Sequence, residues 1–212
     1  MLKGLRSAEK AMNIQLSRTN VLANNLANAN SAGFKQLLMK VSAENSEIQN
    51  NNNSSQSVRE MNMKVQSPVD MTQGALRETG LATNLAIRGD GFFKVSRDGS
   101  EFYTRNGSFT INSEKQLVTM NGDKVIGSEG VITIPEGKML ISDNGTISVG
   151  EKQVGRIELY AFADSANLEH IGESRFRAGE KAEVTKIKAK DTEIVQGMIE
   201  QSNVNTIDTM VA

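Results

Sequence analysis

The side chains that could carry out chemistry are few and scattered along the 212-residue chain. One histidine, His170, is present and cysteine is absent, which excludes disulfides, thiolate zinc sites and cysteine nucleophiles. The sequence contains no Gly-x-Ser-x-Gly elbow and no phosphate-binding loop, and its carboxylates are dispersed. We therefore predict no enzymatic activity, no catalytic residue, no metal site and no cofactor, and we expect the lone His170 at the surface.

Three short motifs suggest ligand binding but are explained more simply by turns. Arg88-Gly89-Asp90 matches an integrin-binding tripeptide, yet its glycine and the following Gly91 fit a turn that leads into a strand. Asp98-Gly99 and Asp143-Asn144-Gly145 lack the spaced acidic ligands and final glutamate of an EF-hand calcium loop. Because Asp-Gly and Asn-Gly pairs favour tight hairpins, we interpret all three motifs as turns.

Charge and hydropathy argue against nucleic acid and membrane partners. The chain has 24 Lys and Arg against 25 Asp and Glu, for a net charge of -1, and this even balance leaves no basic surface for phosphates. No apolar run approaches the roughly 18 residues that span a bilayer. The N-terminus lacks the apolar region and cleavage site of a secretory signal, so export from the cytoplasm would need a route that does not cleave one.

Apolar residues recur every three or four positions from residue 2 to about residue 29, which predicts one long helix. Taken as heptads, the stripe consists of Leu5, Ala8, Met12, Gln15, Thr19, Leu22, Leu26 and Ala29, with Leu2, Leu16 and Val21 beside it. A stripe this narrow cannot form a globular core alone, so we predict that the helix pairs with a partner helix. Asn28, Asn30 and Gly33 supply the residue types that end helices.

The rest of the chain is predicted to be mainly β. Residues 45–57 are Asn-rich with almost no apolar content, which predicts a flexible loop within an extended linker over 34–75. From 76 to 190, short apolar strands alternate with turn signals every 8–12 residues or so, a spacing typical of an antiparallel sandwich or a small barrel. The last stretch of the chain is predicted to return to helical character, with Ser202 or Asn203 as the N-cap of a short helix.

Four groups of motifs follow one another along nearly the whole chain. They are Asn24-Asn-Leu-Ala-Asn28 with Gly33-Phe34-Lys35; Gly74-Ala-Leu76 through Gly91-Phe-Phe93 and Val95; Tyr103-Thr-Arg105-Asn-Gly-Ser-Phe109; and Val195-Gln-Gly197 with Glu200-Gln-Ser-Asn-Val-Asn205. In this order the motifs resemble the flagellar rod and hook protein family. The compact middle region resembles the rod members, whereas hook members usually carry larger or additional domains.

The resemblance implies a structural subunit of the bacterial flagellar basal-body rod, in a helical tube that transmits torque. The implied partners are copies of the chain itself and other rod or hook proteins. Passage from the cytoplasm through the flagellar export apparatus, without a cleaved signal peptide, is also implied. The alternatives are a hook-like axial protein of the same family and an adhesin-like or carbohydrate-binding β module.

The resemblance also assigns residues 1–33 and 191–212 to assembly through subunit contacts. The expected interface residues are Leu5, Met12, Leu16, Leu22, Asn24, Asn25, Leu26, Asn28, Gly33, Phe34, Ser202, Asn203, Val204 and Ile207. For the asparagines, helix-end hydrogen bonding is the alternative. Family members extend the C-terminal helix by several turns, so either the chain is truncated at Ala212 or it is a natural short member. We favour truncation.

Overall fold

The computed structural model describes residues 2–46, 60–163, 168–179, 182–187 and 192–206. The predicted N-terminal helix is present as α1 (Leu2–Ala27), which ends within two residues of the expected position. At 1.5 Å per residue, α1 is about 39 Å long. The backbone N–H of Asn28 still bonds to the carbonyl of Asn24, 3.1 Å away, and Gly33 then takes a φ of 64° as the chain turns toward the sheets.

Nineteen strands lie within the described residues. They are β1 (Lys40–Ser46), β2 (Glu60–Gln66), β3 (Leu76–Glu78), β4 (Leu85–Arg88), β5 (Phe92–Arg97), β6 (Ser100–Thr104), β7 (Phe109–Ile111), β8 (Leu117–Thr119), β9 (Lys124–Gly127), β10 (Gly130–Val131), β11 (Met139–Ile141), β12 (Thr146–Val149), β13 (Lys152–Arg156), β14 (Leu159–Phe162), β15 (Leu168–His170), β16 (Arg175–Ala178), β17 (Val184–Lys186), β18 (Glu193–Gln196) and β19 (Met198–Glu200).

The predicted antiparallel β architecture is confirmed. The largest sheet runs in the order β15-β16-β6-β5-β9-β8-β7, with β14 joined to β5, β17 joined to β14, and β10 joined to β9. A separate sheet contains β11, β12 and β13. All strand pairs among the described residues are antiparallel, and these sheets do not close into a barrel.

The turn motifs have different outcomes. Asp98-Gly99 has φ angles of 52° and 80° and connects β5 to β6 with Arg97 opposite Ser100, as expected of an Asp-Gly hairpin. Asn121-Gly122 likewise lies between β8 and β9. Asn106-Gly107, although a strong turn signal, does not form a two-residue hairpin. It follows β6 in an irregular stretch where a Cβ on Gly107 would collide with the Leu85 carbonyl, so glycine is required for close approach.

Two apolar clusters form the interior. The larger one, here called the middle core, consists of Leu85, Ile87, Phe93, Val95, Phe102, Phe109, Leu117, Val125, Ile132, Ile134, Met139, Ile141, Ile147, Ile157, Leu159 and Ile194. The smaller one, here called the junction core, consists of Phe34, Leu37, Val69, Phe92, Tyr103, Tyr160, Leu168 and Phe176. Val21 from α1 and Val204 from the C-terminal segment pack against the junction core, so both terminal segments share its buried surface.

Two segments differ from the sequence-based expectation. The stretch 34–75 contains an antiparallel hairpin, β1 with β2, where an extended linker was predicted. Asn45 and Ser46 belong to β1, and most of the predicted Asn-rich loop lies outside the described residues. At the C-terminus, β18 pairs with β4 and β19 with β3, so this segment is part of the sheets before it turns helical. The first helical residue there is Thr206, beyond the predicted N-cap positions. The Ser202 hydroxyl accepts from the N–H of Val204 in a local turn, and the Asn203 side chain accepts from the distant N–H of Gln36.

Candidate functional site

The two terminal segments meet on one side of the middle region, at a place here called the terminal junction (33–37 against 200–204). The backbone N–H of Gly33 donates to the carbonyl of Glu200 over 2.8 Å, and the N–H of Asn203 donates to the carbonyl of Phe34 over 3.4 Å. Between them, the N–H of Gln36 donates to Oδ1 of Asn203 over 2.7 Å. The segments that leave toward the two ends of the chain are therefore held side by side.

The side chain of Asn203 also fastens the junction to the segment that precedes β3. Its Nδ2 donates to the carbonyls of Asp70 and Thr72, at 3.2 and 3.0 Å, and approaches the Thr72 hydroxyl at 3.1 Å. One amide thus joins three stretches of chain that are far apart in sequence. This arrangement, rather than helix capping, accounts for the asparagine at this position.

Asn25 fixes the end of α1 on the same junction. Its Oδ1 accepts a hydrogen bond from the N–H of Leu37 over 2.9 Å, and its Nδ2 donates to the carbonyl of Leu37 over 2.8 Å. The side-chain amide therefore pairs with one residue as a neighbouring strand would. Asn25 is buried, and burial strengthens the requirement that both amide atoms and both backbone groups find partners.

Asn28 closes the helix end by local bonds. Its Nδ2 donates to the backbone carbonyl of Asn24 over 2.9 Å and to Oδ1 of Asn24 over 3.2 Å, while its Oδ1 accepts from the Ser31 hydroxyl over 3.1 Å. Both asparagines are partly buried. This hydrogen bonding satisfies carbonyls at the C-terminal end of a helix, where intrahelical donors run out.

Beneath the junction lies a buried group of three charges, here called the ion cluster (Lys35, Arg105 and Glu200). Nζ of Lys35 is 2.8 Å from Oε1 of Glu200, and Nε of Arg105 is 2.5 Å from Oε2 of the same carboxylate. The three side chains are no more than 3% exposed. One carboxylate therefore bridges a cation from the N-terminal segment and a cation from the middle region.

Backbone carbonyls supply the remaining partners of the two cations. Lys35 donates to the carbonyl of Thr72 over 2.6 Å. Arg105 donates to the carbonyls of Ile87, Gly89 and Gly91. The loop that contains the Arg-Gly-Asp tripeptide thus supplies hydrogen-bond acceptors to the Arg105 guanidinium. Burial lowers the pKa of Lys35 and the neighbouring Glu200 carboxylate opposes that shift, as expected for a desolvated ammonium with one anionic partner.

The aromatic side of the junction involves His170, which was predicted at the surface and is half-buried in the structure. The Phe34 ring meets the His170 imidazole edge-on with 5.5 Å between centroids, and the Phe176 ring lies 5.5 Å away from the same imidazole. Nε2 of His170 is buried and has no hydrogen-bond partner among the described residues. Burial lowers the pKa of His170, because the charged form is poorly solvated there. The ring is only partly exposed because the strand β15 places it against the buried Phe34.

The expected interface residues fall into groups by burial. Leu5, Met12, Leu16 and Leu26 are 70, 67, 56 and 43% exposed. Those of intermediate exposure are Leu22, Asn24, Asn28, Ser202, Asn203 and Val204. Asn25, Gly33 and Phe34 are buried within the chain, so we assign them to the junction and not to a surface between subunits. Ile207 lies outside the described residues.

The ion cluster was not among the predicted site residues, although each member lies in one of the recognised motifs. Charged residues are ordinarily expected on a solvated surface. The sequence gives no sign that Lys35 would meet a residue 165 positions away, or Arg105 one 95 positions away. The available signal was an apolar neighbour within or beside a motif, which Lys35 has in Phe34 and Glu200 has in Ile199. Arg105 lies between two polar residues and carries no such signal.

Within the described part of the chain, no group of three or more histidine, cysteine, aspartate or glutamate side chains is arranged to hold a metal ion. No helix in that part combines the length and the hydropathy needed to cross a membrane. The junction is thus built from packing, hydrogen bonds and ion pairs. Such an arrangement positions segments of chain relative to one another.

Comparison with known proteins gives matches at both the helix and the middle region. Residues 5–35 match the flagella basal body rod protein family, and residues 86–149 match the flagellar hook protein FlgE/F/G D1 domain family. The flagellar basal-body rod protein FlgG of Borreliella burgdorferi is 32% identical over 235 residues, covering 100% of this chain and 88% of the relative. The flagellar basal-body rod protein FlgF of Caulobacter vibrioides is 35% identical over 88% of this chain and 76% of the relative.

Hook proteins match a smaller part of the chain. The flagellar hook protein FlgE of Rhizobium meliloti is 37% identical, but over 54% of this chain and 27% of the relative. The Borreliella burgdorferi rod protein, by contrast, matches over the whole chain and so includes α1, the junction and the middle region. The chain therefore belongs to the family of flagellar basal-body rod proteins, which are structural proteins of the flagellum.

Proposed function

We propose that this rod-family chain polymerises through its terminal segments into a helical tube that transmits torque, and that it has no enzymatic activity. Its partners are copies of itself and other rod or hook proteins. The observation that carries the proposal is the exposed apolar stripe of α1, which the described part of the chain leaves uncovered.

The stripe points away from the face by which α1 docks. With 100° between successive residues, Leu5, Met12, Leu16 and Leu26 fall within about 80° of one another around the helix axis. Val21, which packs on the junction core, and Asn25, which binds Leu37, lie on roughly the opposite side. Docking α1 on the junction therefore presents the stripe outward.

The stripe carries enough apolar surface to drive association. Burying one large apolar side chain is worth about 1.5–3 kcal/mol, so four of them supply several kcal/mol for each contact, before ordering costs. A head-to-tail contact that does not close into a ring repeats to form a helical filament. This is the geometry that a tubular rod requires.

Three further proposals follow for the parts of the chain. Residues 1–33 and the chain beyond β19 form the inner layer of the tube, with the hairpin-containing stretch 34–75 between neighbours and the β-rich region, including β18 and β19, outside. The terminal junction sets the angle between α1 and the outer part. The chain leaves the cytoplasm through the flagellar export apparatus without a cleaved signal peptide and resides in the basal body.

The stripe is tested by placing a charge on it. Leu16→Asp and Leu26→Asp each put a carboxylate on the apolar face, and Asn13→Asp puts the same group on the polar side of the same helix. We expect both leucine variants to abolish swimming motility and rod formation, because burying an unpaired carboxylate is costly. The Asn13→Asp strain should swim normally. Circular dichroism of the purified leucine variants should show an intact β-rich fold.

A second measurement isolates association from every other step of flagellar assembly. Sedimentation velocity of the purified chain at rising concentration should show growing oligomers for the wild type and for Asn13→Asp, and monomers for the leucine variants. Normal motility together with unchanged sedimentation in Leu16→Asp and Leu26→Asp would refute the proposal that this stripe is the assembly surface.

A further inference from the structure

We propose that the ion cluster is a latch that allows the N-terminal segment to seat on the middle region only when the C-terminal segment is already in place. The latch is a property of the single chain. Its success or failure is therefore independent of whether the exposed stripe of α1 mediates assembly.

The charge balance of the cluster is the first argument. Lys35 and Arg105 are two buried cations, and Glu200 is the carboxylate that touches both. Without Glu200, the two cations would be held together in a desolvated site with only carbonyl dipoles as partners. Uncompensated buried charge is among the most destabilising arrangements in proteins. Seating Lys35 beside Arg105 therefore depends on the carboxylate.

The dependence is not symmetrical. If Lys35 is absent, Arg105 and Glu200 remain as a one-to-one ion pair. Glu200 has additional anchors that do not involve the N-terminal segment, since its Oε1 accepts from the N–H of Gly74 over 2.9 Å and β19 pairs with β3. The C-terminal segment can therefore dock before the N-terminal one, whereas the reverse order leaves two cations unpaired.

The backbone contacts point in the same direction. Gly33 donates to the Glu200 carbonyl, the Phe34 carbonyl accepts from Asn203, and Gln36 donates to the Asn203 side chain. Each of these bonds joins the N-terminal segment to the C-terminal one. Residues 200–203 therefore supply much of the surface on which residues 33–36 dock. The latch in this way makes the position of α1 depend on the docking of a segment near the other end of the chain.

The test uses the full chain and three variants: Glu200→Gln, Lys35→Met, and the double variant. Glu193→Gln is the matched control, since Glu193 lies on the adjacent strand β18 and forms an exposed ion pair with Arg88 at 3.1 Å. Hydrogen exchange is followed at the amides of Gly33 and Gln36, which are bonded across the junction to Glu200 and Asn203. The amide of Leu117, bonded within the middle region, reports on the overall fold.

We expect Glu200→Gln to speed exchange at Gly33 and Gln36 by about a hundredfold or more, as for the loss of one partner of a buried ion pair, with Leu117 little changed. Lys35→Met should have a smaller effect, because the remaining pair is balanced. The double variant should exchange more slowly than Glu200→Gln, because one of the two unpaired cations has been removed. Glu193→Gln should match the wild type.

The rescue by a second substitution distinguishes a latch from ordinary packing, in which the two losses would add. Unchanged protection in Glu200→Gln, or a double variant that is no better than Glu200→Gln, would overturn the proposal. If Glu200→Gln unfolds the whole chain, the same comparison is made by urea denaturation. There a double variant more stable than Glu200→Gln supports the latch, and one equally or less stable contradicts it.

Discussion

The two ends of the N-terminal segment use their side chains in opposite ways. Along residues 4–19, here called the free end, the leucines and the methionine are exposed to solvent, and no apolar cluster of the described chain covers them. Along residues 21–37, here called the docked end, Asn25 and Lys35 are buried together with Phe34, although Leu26 of the stripe remains exposed. A chain folded for its own stability would bury its apolar helix face and expose its polar one. The exposed apolar end is therefore available for contacts with other chains.

The docked end achieves its burial through matched partners. Each buried polar group there has a defined counterpart: Asn25 with Leu37, and Lys35 with Glu200 and Thr72. Polar contacts of this kind fix direction more strictly than apolar contacts, because hydrogen bonds weaken steeply away from their preferred geometry. The docked end is thus suited to set the angle of α1, and the free end to form contacts at that angle.

The largest difference between the two ends should appear when glycine is replaced. Gly33 has a φ of 64°, and an added Cβ would collide with backbone atoms of Arg105 and Asn106. Gly4 lies in α1 with open space around it. We expect Gly33→Ala to lower the free energy of unfolding by about 3 kcal/mol or more, and Gly4→Ala to favour the helix by about 1 kcal/mol. Urea denaturation followed by circular dichroism measures both, and similar shifts in the two variants would contradict the comparison.

A smaller but more specific difference is expected for asparagine. Asn25→Ala leaves the buried N–H and carbonyl of Leu37 without their partners, which should cost about 2 kcal/mol. Asn13, exposed on the free end, is the matched control. Asn13→Ala should change the free energy of unfolding by less than about 0.5 kcal/mol, because surface substitutions rarely do more. Equal losses in both variants would show that the docked end is not held by the Asn25 amide.

Local signals account for what the sequence predicted correctly. The period of apolar residues placed α1 to within two residues, and the Asp98-Gly99 pair identified a hairpin because both positions need positive φ. The apolar stripe was also recognised, since it depends only on spacing within one helix. These features are decided by neighbours a few positions away.

Features that depend on distant partners were missed. The strands β18 and β19 lie beyond residue 190, where the β-rich region was predicted to end, and were missed because their partners, β4 and β3, lie more than 100 positions earlier, and short segments take the conformation that their sheet neighbours impose. The position of Asn25 in the sequence is typical of a helix end, but its side-chain amide binds the backbone of Leu37. The turn at Gly33 is what brings Leu37 close to Asn25. The ion cluster joins three motifs that sequence spacing alone does not relate.

The smallest expected effect is on pH dependence, and it should be confined to the docked end. Because the pKa of His170 in the folded chain lies below its ordinary value of 6.5, the unfolded chain binds the proton more readily. The contribution of this group to stability is complete above pH 6.5 and is lost as the pH falls through the lowered pKa. His170→Phe, which keeps an aromatic ring against Phe34 and Phe176, should remove this part of the pH dependence.

The pKa of His170 can be measured directly, since the chain has one histidine and its signals need no assignment among several. Its single set of imidazole signals, followed by NMR across the range from acidic to neutral pH, should titrate below 6.5 in the folded chain and at about 6.5 in urea. The Phe34 and Leu37 signals should shift with the imidazole, while those of Leu5 and Met12 on the free end should not. Titration at or above 6.5 in the folded chain would mean that the ring is solvated, and that the docked end is looser than its contacts indicate.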